Sequence, residues 1–275
     1  MQNRSSDTCP PQSCDVLNQS MQGLTGGEKL EKTIEVMIQT GIRGYCHQET
    51  WLLGKFSKTI RGQLIPHHGM ATKPCHRGQL SCGVTIIIGP ALLRAWDMAG
   101  KPPPITSAPN SDFPGRMTGV TLCFPNRSNK RAVTFHKRGK GRINIFLALI
   151  YHPVGHEDQK RFNKELANFY NSIPWNAKLL AKQDVNCNII IRSKMFRDVI
   201  GTYGINNRNA KGKDLLFLLN SIKFRVLITL YRHKNDTTWG SFNTTKYPHI
   251  LDNFIFVSAI LTSSQILQSR QHRNT

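Results

Sequence analysis

The 275-residue chain carries 37 Lys and Arg against 16 Asp and Glu, a formal charge of +21 at neutral pH, with 39% apolar and 19% charged residues. That apolar content excludes a chain kept unfolded by low hydrophobicity and one-sign charge. The charge excess argues against a neutral metabolite enzyme and for a polyanionic partner, nucleic acid or an anionic surface. The longest apolar runs, around Val84–Ile88 and Ile143–Tyr151, fall short of the ~18 to 20 residues that cross a bilayer, so no membrane span is expected.

Residues 1–14 have no apolar core of a secretory signal and read as a loose tail, pointing to an intracellular chain. One folded domain is expected over residues 15–258, with a diverged or truncated tail over 259–275. Val16 to Met21 reads as a strand. After Gly23-Leu24-Thr25-Gly26-Gly27, Glu28, Leu30, Ile34, Met37 and Ile38 recur at helical spacing up to Gly41. Ile42–Glu49 resumes an extended pattern, a βαβ start with its two strands side by side. Ile65–Met70, Gly83–Ile88, Gly119–Phe124 and Ile143–His152 are β-rich runs bounded by Gly, Pro or Asn and read as a meander. His156–Ile173 is a helix with Phe162, Leu166, Phe169 and Tyr170 on one face, closed by Pro174. Lys178–Asn186 is a strand, Asp214–Ile222 a helix, and Phe224–Thr229 and Ile250–Ser258 late strands. Strands clustered this way among helices predict two packed sheets with helices outside them.

The seven cysteines show no repeated pair spacing, so scattered thiols are expected rather than a disulfide framework, and Cys75-His76 with Cys82 lacks a second ligand pair for zinc. Adjacent residues on a strand point to opposite faces, which sets His67 and His68 apart rather than on one ion. Between Asp112 and Glu157 there is no acidic residue, while Arg116, Arg127, Lys130, Arg131, Lys137, Arg138, Lys140 and Arg142 all fall there. With no carboxylate to neutralise it, this run favours phosphate contact by counterion release, with Lys137, Arg138 and Lys140 at its centre. The same residues would serve as a nuclear-localisation signal or as a solvated loop.

Glu49, Tyr151, Asp184, Asn186 and Asp252 stand at or near predicted strand ends, where acids are poor strand formers. Two readings fit them. Gathered at one point, the carboxylates would hold a hard cation such as Mg²⁺; left apart, each pairs with one of the many Lys and Arg residues.

In order, Gln48-Glu49-Thr50-Trp51, Tyr151-His152-Pro153, Asp184-Val185-Asn186, the loop from Gly204 to Gly212 before Leu215-Leu216, Thr238-Trp239 and Leu251-Asp252 form one ordered set. It resembles the endonuclease/exonuclease/phosphatase superfamily, and within it the apurinic-type endonuclease domain of non-LTR retrotransposons. The resemblance implies a four-layer α/β/β/α sandwich of two mixed sheets flanked by helices, with a Mg²⁺- or Mn²⁺-dependent site that hydrolyses DNA phosphodiesters. It assigns Glu49 to the metal and Asp184 to the attacking water. Asn186 and Tyr151 fall to the scissile phosphate, and Asp252 to support of a catalytic histidine. Asn207 and Asn209 of the Asn-rich loop would contact phosphate at a helix start, though the same composition makes a turn and cap. Trp239 would stack near a base or simply pack in the core.

The chain also departs from the pattern. Ser20 stands where the family places an asparagine, with Asn18 two residues earlier, and Gln183 replaces the glycine before the aspartate. No Ser-Asp-His triplet follows Asp252, since His272 lacks the aspartate. A preorganised group at the reacting phosphate is commonly worth ~10²–10³ in rate, so three readings stay open. They are an impaired endonuclease, a catalytically inactive retroelement-derived nucleic-acid binder, and a phosphatase of the same superfamily.

Overall fold

Leu30, Ile34 and Met37 lie one helical turn apart, and the helix they predict is α1 (Gly27–Thr40). All three are buried against Tyr45, Ile65 and Ile87. The computed structural model describes residues 16–20, 27–52, 54–69, 82–125, 142–187, 189, 194–203, 209–230 and 252–257. Helix α1 joins β1 (Val16–Ser20) to β2 (Gly44–Gln48), which pair in parallel from Val16 opposite Gly44 to Ser20 opposite Gln48. The βαβ start expected from the sequence is the one that forms.

The first sheet has the order β1-β2-β5-β4-β3, completed by β3 (Lys55–Ile60), β4 (Gln63–His68) and β5 (Val84–Ile88). Strand β3 was not foreseen because its KFSKTI sequence is polar and mostly exposed, as suits an edge strand guarded by lysines. It turns into β4 through Arg61 and Gly62 at φ 47° and 75°, the paired left-handed residues of a tight hairpin.

The second sheet has the order β10-β11-β9-β8-β7-β6. Its strands are β6 (Ile105–Thr106), β7 (Met117–Pro125), β8 (Arg142–Tyr151), β9 (Ala177–Asp184), β10 (Phe224–Val226) and β11 (Asp252–Val257). Helix α3 (His156–Asn171) connects β8 to β9, the one parallel pair of this sheet; its other pairs are antiparallel. Between the sheets, Cys46, Val84, Ile86 and Ile88 pack in one cluster with Val120, Leu122, Leu147 and Leu149. On the far face of the second sheet Phe146, Ala148 and Ile150 meet Phe162, Leu166 and Phe169 of α3 and Leu215, Leu216 and Leu219 of α4 (Ala210–Ser221). Each fully buried Val, Leu, Ile or Phe among them contributes about 1.5–3 kcal/mol. The result is a four-layer α/β/β/α sandwich of two mixed sheets, as the resemblance implied.

Two expectations need correction. The middle strands are not one meander. Val84–Ile88 closes the first sheet, Met117–Pro125 opens the long hairpin of the second, and α2 (Pro90–Met98) lies between them. Pro90 at the first turn starts α2, and its Leu92 and Ala95 plug the layer between the sheets. The late strand at Phe224 ends at Val226. Thr229 Oγ1 then donates to the Val226 carbonyl at 2.7 Å, tightening Leu227–Thr229 into a 3₁₀ turn.

Candidate active site

Strand direction gathers the site. Parallel β8 and β9 end together, Tyr151 opposite Asp184, and antiparallel β11 begins with Asp252 opposite Asp184. Neighbouring strands lie about 4.8 Å apart, so these three backbone positions stand abreast at one end of the second sheet. Gln48, the last residue of β2, is buried, and its amide donates to the Ile150 carbonyl at 3.0 Å. This bond staples the first sheet to the second just inside the site.

Glu49 leaves β2 at φ 55° and Trp51 follows at φ 57°, left-handed conformations that cost non-glycine residues roughly 1–3 kcal/mol each and need support from their surroundings. Support comes from the Thr50 and Trp51 amides, which donate to the Gly83 and Cys82 carbonyls at 3.2 and 3.1 Å. Gly83 itself sits at φ 112°, and a Cβ there would stand 2.3 Å from Thr50 Oγ1. Only glycine lets the two segments close on each other.

Tyr151 Oη donates to Glu49 Oε1, linking the two sheets at the rim. Burial holds the Tyr151 phenol well above its ordinary pKa, aided by the Glu49 bond and charge and by Asp184, with Arg116 opposing. Tyr151 is therefore a neutral hydrogen-bond donor at physiological pH. Asp184 Oδ1 accepts from the Asn186 amide at 3.1 Å, an Asx turn that carries Asn186 to φ 46°. Asn186 Nδ2 donates to the His152 carbonyl at 2.8 Å, and the His152 amide to the Asp184 carbonyl at 2.9 Å. Lys211, from the first turn of α4, donates to the Asn186 and Val154 carbonyls at 2.9 and 2.7 Å.

A buried polar chain lies behind these loops. Gln183, the residue in place of the family's glycine, donates to Tyr170 Oη and accepts from His152 Nε2 at 2.8 Å. Gln159 Nε2 donates to His152 Nδ1 and to the Val185 carbonyl, both at 3.2 Å. His152 is fully buried, and that burial lowers its pKa from 6.5 to about 4 despite the Gln183 bond. The ring is thus neutral, with its proton on Nε2. The side chain forced into the space by Gln183 is absorbed as a hydrogen-bonding bridge.

Tyr151 thus meets Glu49 by a hydrogen bond and stands opposite Asp184 in the sheet, Asn186 follows in the turn that Asp184 closes, and the backbone of Asp252 lies opposite Asp184 by strand register. Asn209 caps α4, its Oδ1 accepting from the Gly212 amide at 2.9 Å. Asn207, Trp239, Lys137, Arg138 and Lys140 lie outside the described residues. His67 and His68 part as expected: His67 meets Thr85 Oγ1 and the Leu52 carbonyl at 2.7 and 3.2 Å, and His68 meets the Met117 carbonyl at 3.0 Å. Sequence reasoning missed Arg116 as a site residue. It counted only as one cation of a basic run, yet its guanidinium lies 4.8 Å over the Tyr151 ring.

The oxygen donors of Glu49 and Asp184, both half-buried, suit a hard divalent cation in kind. Among the described residues no group of three or more His, Cys, Asp and Glu is close enough to form a cage, so an ion here would keep several waters. None of the helices among the described residues is long and apolar enough to cross a membrane.

No protein-family model and no curated protein matches the sequence. Solved structures match it in shape. An AP endonuclease from Archaeoglobus fulgidus gives a TM-score of 0.53 at 10% identity, over 88% of this chain and 86% of that one. AP endonuclease LMAP from Leishmania major gives 0.53 at 12% identity, over 88% and 78%. The endonuclease domain of TRAS1, a telomere-specific non-LTR retrotransposon, gives 0.49 at 14% identity, over 90% and 86%. At such identities the likeness speaks to architecture, and with the two mixed sheets and their shared rim described above it leads to one conclusion: this chain carries the endonuclease/exonuclease/phosphatase fold.

Proposed function

We propose that the rim is a divalent-metal-dependent phosphodiesterase site acting on DNA, an endonuclease of the retroelement type. The observation that carries this reading is the Tyr151–Glu49 hydrogen bond across the mouth of the sandwich, with Asp184 and Asn186 abreast of it. The +21 charge supplies the attraction for a polyanion.

Glu49 would hold Mg²⁺ or Mn²⁺; such an ion, when bound, offsets charge developing on the phosphoryl oxygens. The other steps belong to the chain's own groups. Asp184 orients the attacking water and takes its proton as the new O–P bond forms; the bond to the leaving oxygen breaks, and that oxygen takes a proton from solvent. The Asn186 amide, held by the His152 carbonyl, donates to a non-bridging oxygen, and Tyr151, held neutral, does so by turning its single O–H from Glu49 to the phosphate. The backbone of Asp252 stands opposite Asp184. The test is nicking of supercoiled plasmid in Mg²⁺, expected for the wild type and absent in Glu49→Ala and Asp184→Ala. Nicking that persists in both variants refutes the assignment.

One observation favours a second reading, DNA binding without cleavage. Lys182 is only 3% exposed and lies two residues before Asp184 on the same face of β9. A cationic side chain on that face would compete with a metal ion for carboxylate charge. Salt-sensitive DNA binding with no nicking in any divalent metal is its signature.

A further inference from the structure

Arg116 immediately precedes β7, the strand beside β8, and is half-buried at the rim. Its Nη1 donates to the Tyr151 and His152 carbonyls at 3.4 and 3.3 Å, and its guanidinium carbon lies 4.8 Å above the centre of the Tyr151 ring. Among the described residues it forms no ion pair with any carboxylate, although Glu49 shares the Tyr151 hydroxyl. A guanidinium has five N–H donors in a planar fork. Here the described protein acceptors engage Nη1 alone, leaving Nε and Nη2 without a hydrogen bond among them. Two carbonyls at one corner and an aromatic ring beneath it restrain this arginine, so its remaining edge has a preferred direction.

We propose that Arg116 is the phosphate-binding cation of this site: its free edge grips a non-bridging oxygen pair of a DNA phosphodiester while its stacking holds the Tyr151 ring in place. The proposal rests on the reading of the rim as a phosphodiester site and adds to it a positive group from the second sheet. A carboxylate of the chain is a weaker candidate for the same fork, because none among the described residues lies within ion-pair distance of Arg116. An oxyanion carried in by the substrate fits the fork in bidentate fashion.

The experiment measures DNA affinity against salt concentration, without divalent metal, for wild type, Arg116→Met and Lys178→Met. Lys178 is an exposed control at the opposite end of β9. One phosphate contact is worth about 0.9 in the slope of log K against log salt for duplex DNA. Arg116→Met should lose about that much, and its nicking rate in Mg²⁺ should fall by ~10²-fold or more, the scale of one preorganised donor. Lys178→Met should leave nicking unchanged. A slope and a nicking rate equal to wild type in Arg116→Met overturn the proposal while leaving the phosphodiesterase reading intact. A wild type that binds but never nicks overturns that reading instead, and the slope still decides Arg116. If Arg116→Met does not fold, modification of the wild type by an arginine-specific dicarbonyl, read by mass spectrometry, replaces it. DNA should protect Arg116 and not Arg225, which bonds the Asp198 carbonyl away from the rim; equal modification of Arg116 with and without DNA overturns the proposal.

Discussion

Gln183→Leu tests whether the polar chain behind the loops holds the site in place. The substitution keeps the side chain's bulk but removes the acceptor for His152 Nε2 and the donor to Tyr170 Oη, both fully enclosed. Each buried polar group left unpaired costs about 1–3 kcal/mol, so stability should fall by roughly 2–5 kcal/mol in total. Urea denaturation at pH 7.5 (a buffer choice of about one unit above the free histidine pKa) measures the loss. Adding Tyr170→Phe to Gln183→Leu should recover about 1 kcal/mol, because removing both partners of a hydrogen bond is nearly neutral. In the wild-type background Tyr170→Phe should instead destabilise. Nicking should also weaken, since the His152 carbonyl that receives Asn186 and Arg116 is no longer fixed by its ring. A loss under about 0.5 kcal/mol, or a Tyr170→Phe effect identical in both backgrounds, refutes the bridging role.

Three further outcomes follow from the geometry. Gly83→Ala should destabilise by about 2–4 kcal/mol and abolish nicking, because φ 112° and a 2.3 Å approach to Thr50 Oγ1 force the Glu49 loop out of place; wild-type nicking in this variant counts against that loop geometry. His67 and His152 are both lowered from 6.5 to about 4, chiefly by burial. Their contribution is therefore complete above pH 6.5 and is lost as the pH falls toward 4. Urea denaturation at about pH 5 should show roughly 2 kcal/mol less stability for each than at about pH 7, with His152→Gln flattening its share; a pH-independent stability contradicts the burial. Asn209→Ala should cost about 1 kcal/mol by removing the α4 cap, read as a lowered urea midpoint, and a DNA salt slope that also falls would add a phosphate contact to the cap.

The periodic elements were legible in the residues themselves. The helical spacing of Leu30, Ile34 and Met37, and of Phe162, Leu166 and Phe169, is the same apolar stripe that the sheets cover. The long apolar runs at Val84–Ile88 and Ile143–Tyr151 became strands buried along their apolar parts. Strand β3 was not legible, since an edge strand has little to bury and its polar sequence carries no period. The α2 helix was missed because Pro90-Ala-Leu-Leu offers too short a stripe to stand out from the loop beyond it.

What the sequence by itself determined is the supply: which residues could do chemistry, and which faces had to be buried, since apolar spacing and residue type are local properties. Assembly was decided by tertiary structure alone. Glu49 and Tyr151 meet because two separate sheets pack so that β2 and β8 end at the same rim. Tyr151, Asp184 and Asp252 stand abreast because strand pairing set their register. Arg116 and Gln183 acquired their meaning only there, from the ring that one covers and the imidazole that the other holds. The physical reason is that hydrogen bonds and electrostatic contacts act over a few ångströms, and residues far apart along a chain reach that range only once its cores have closed.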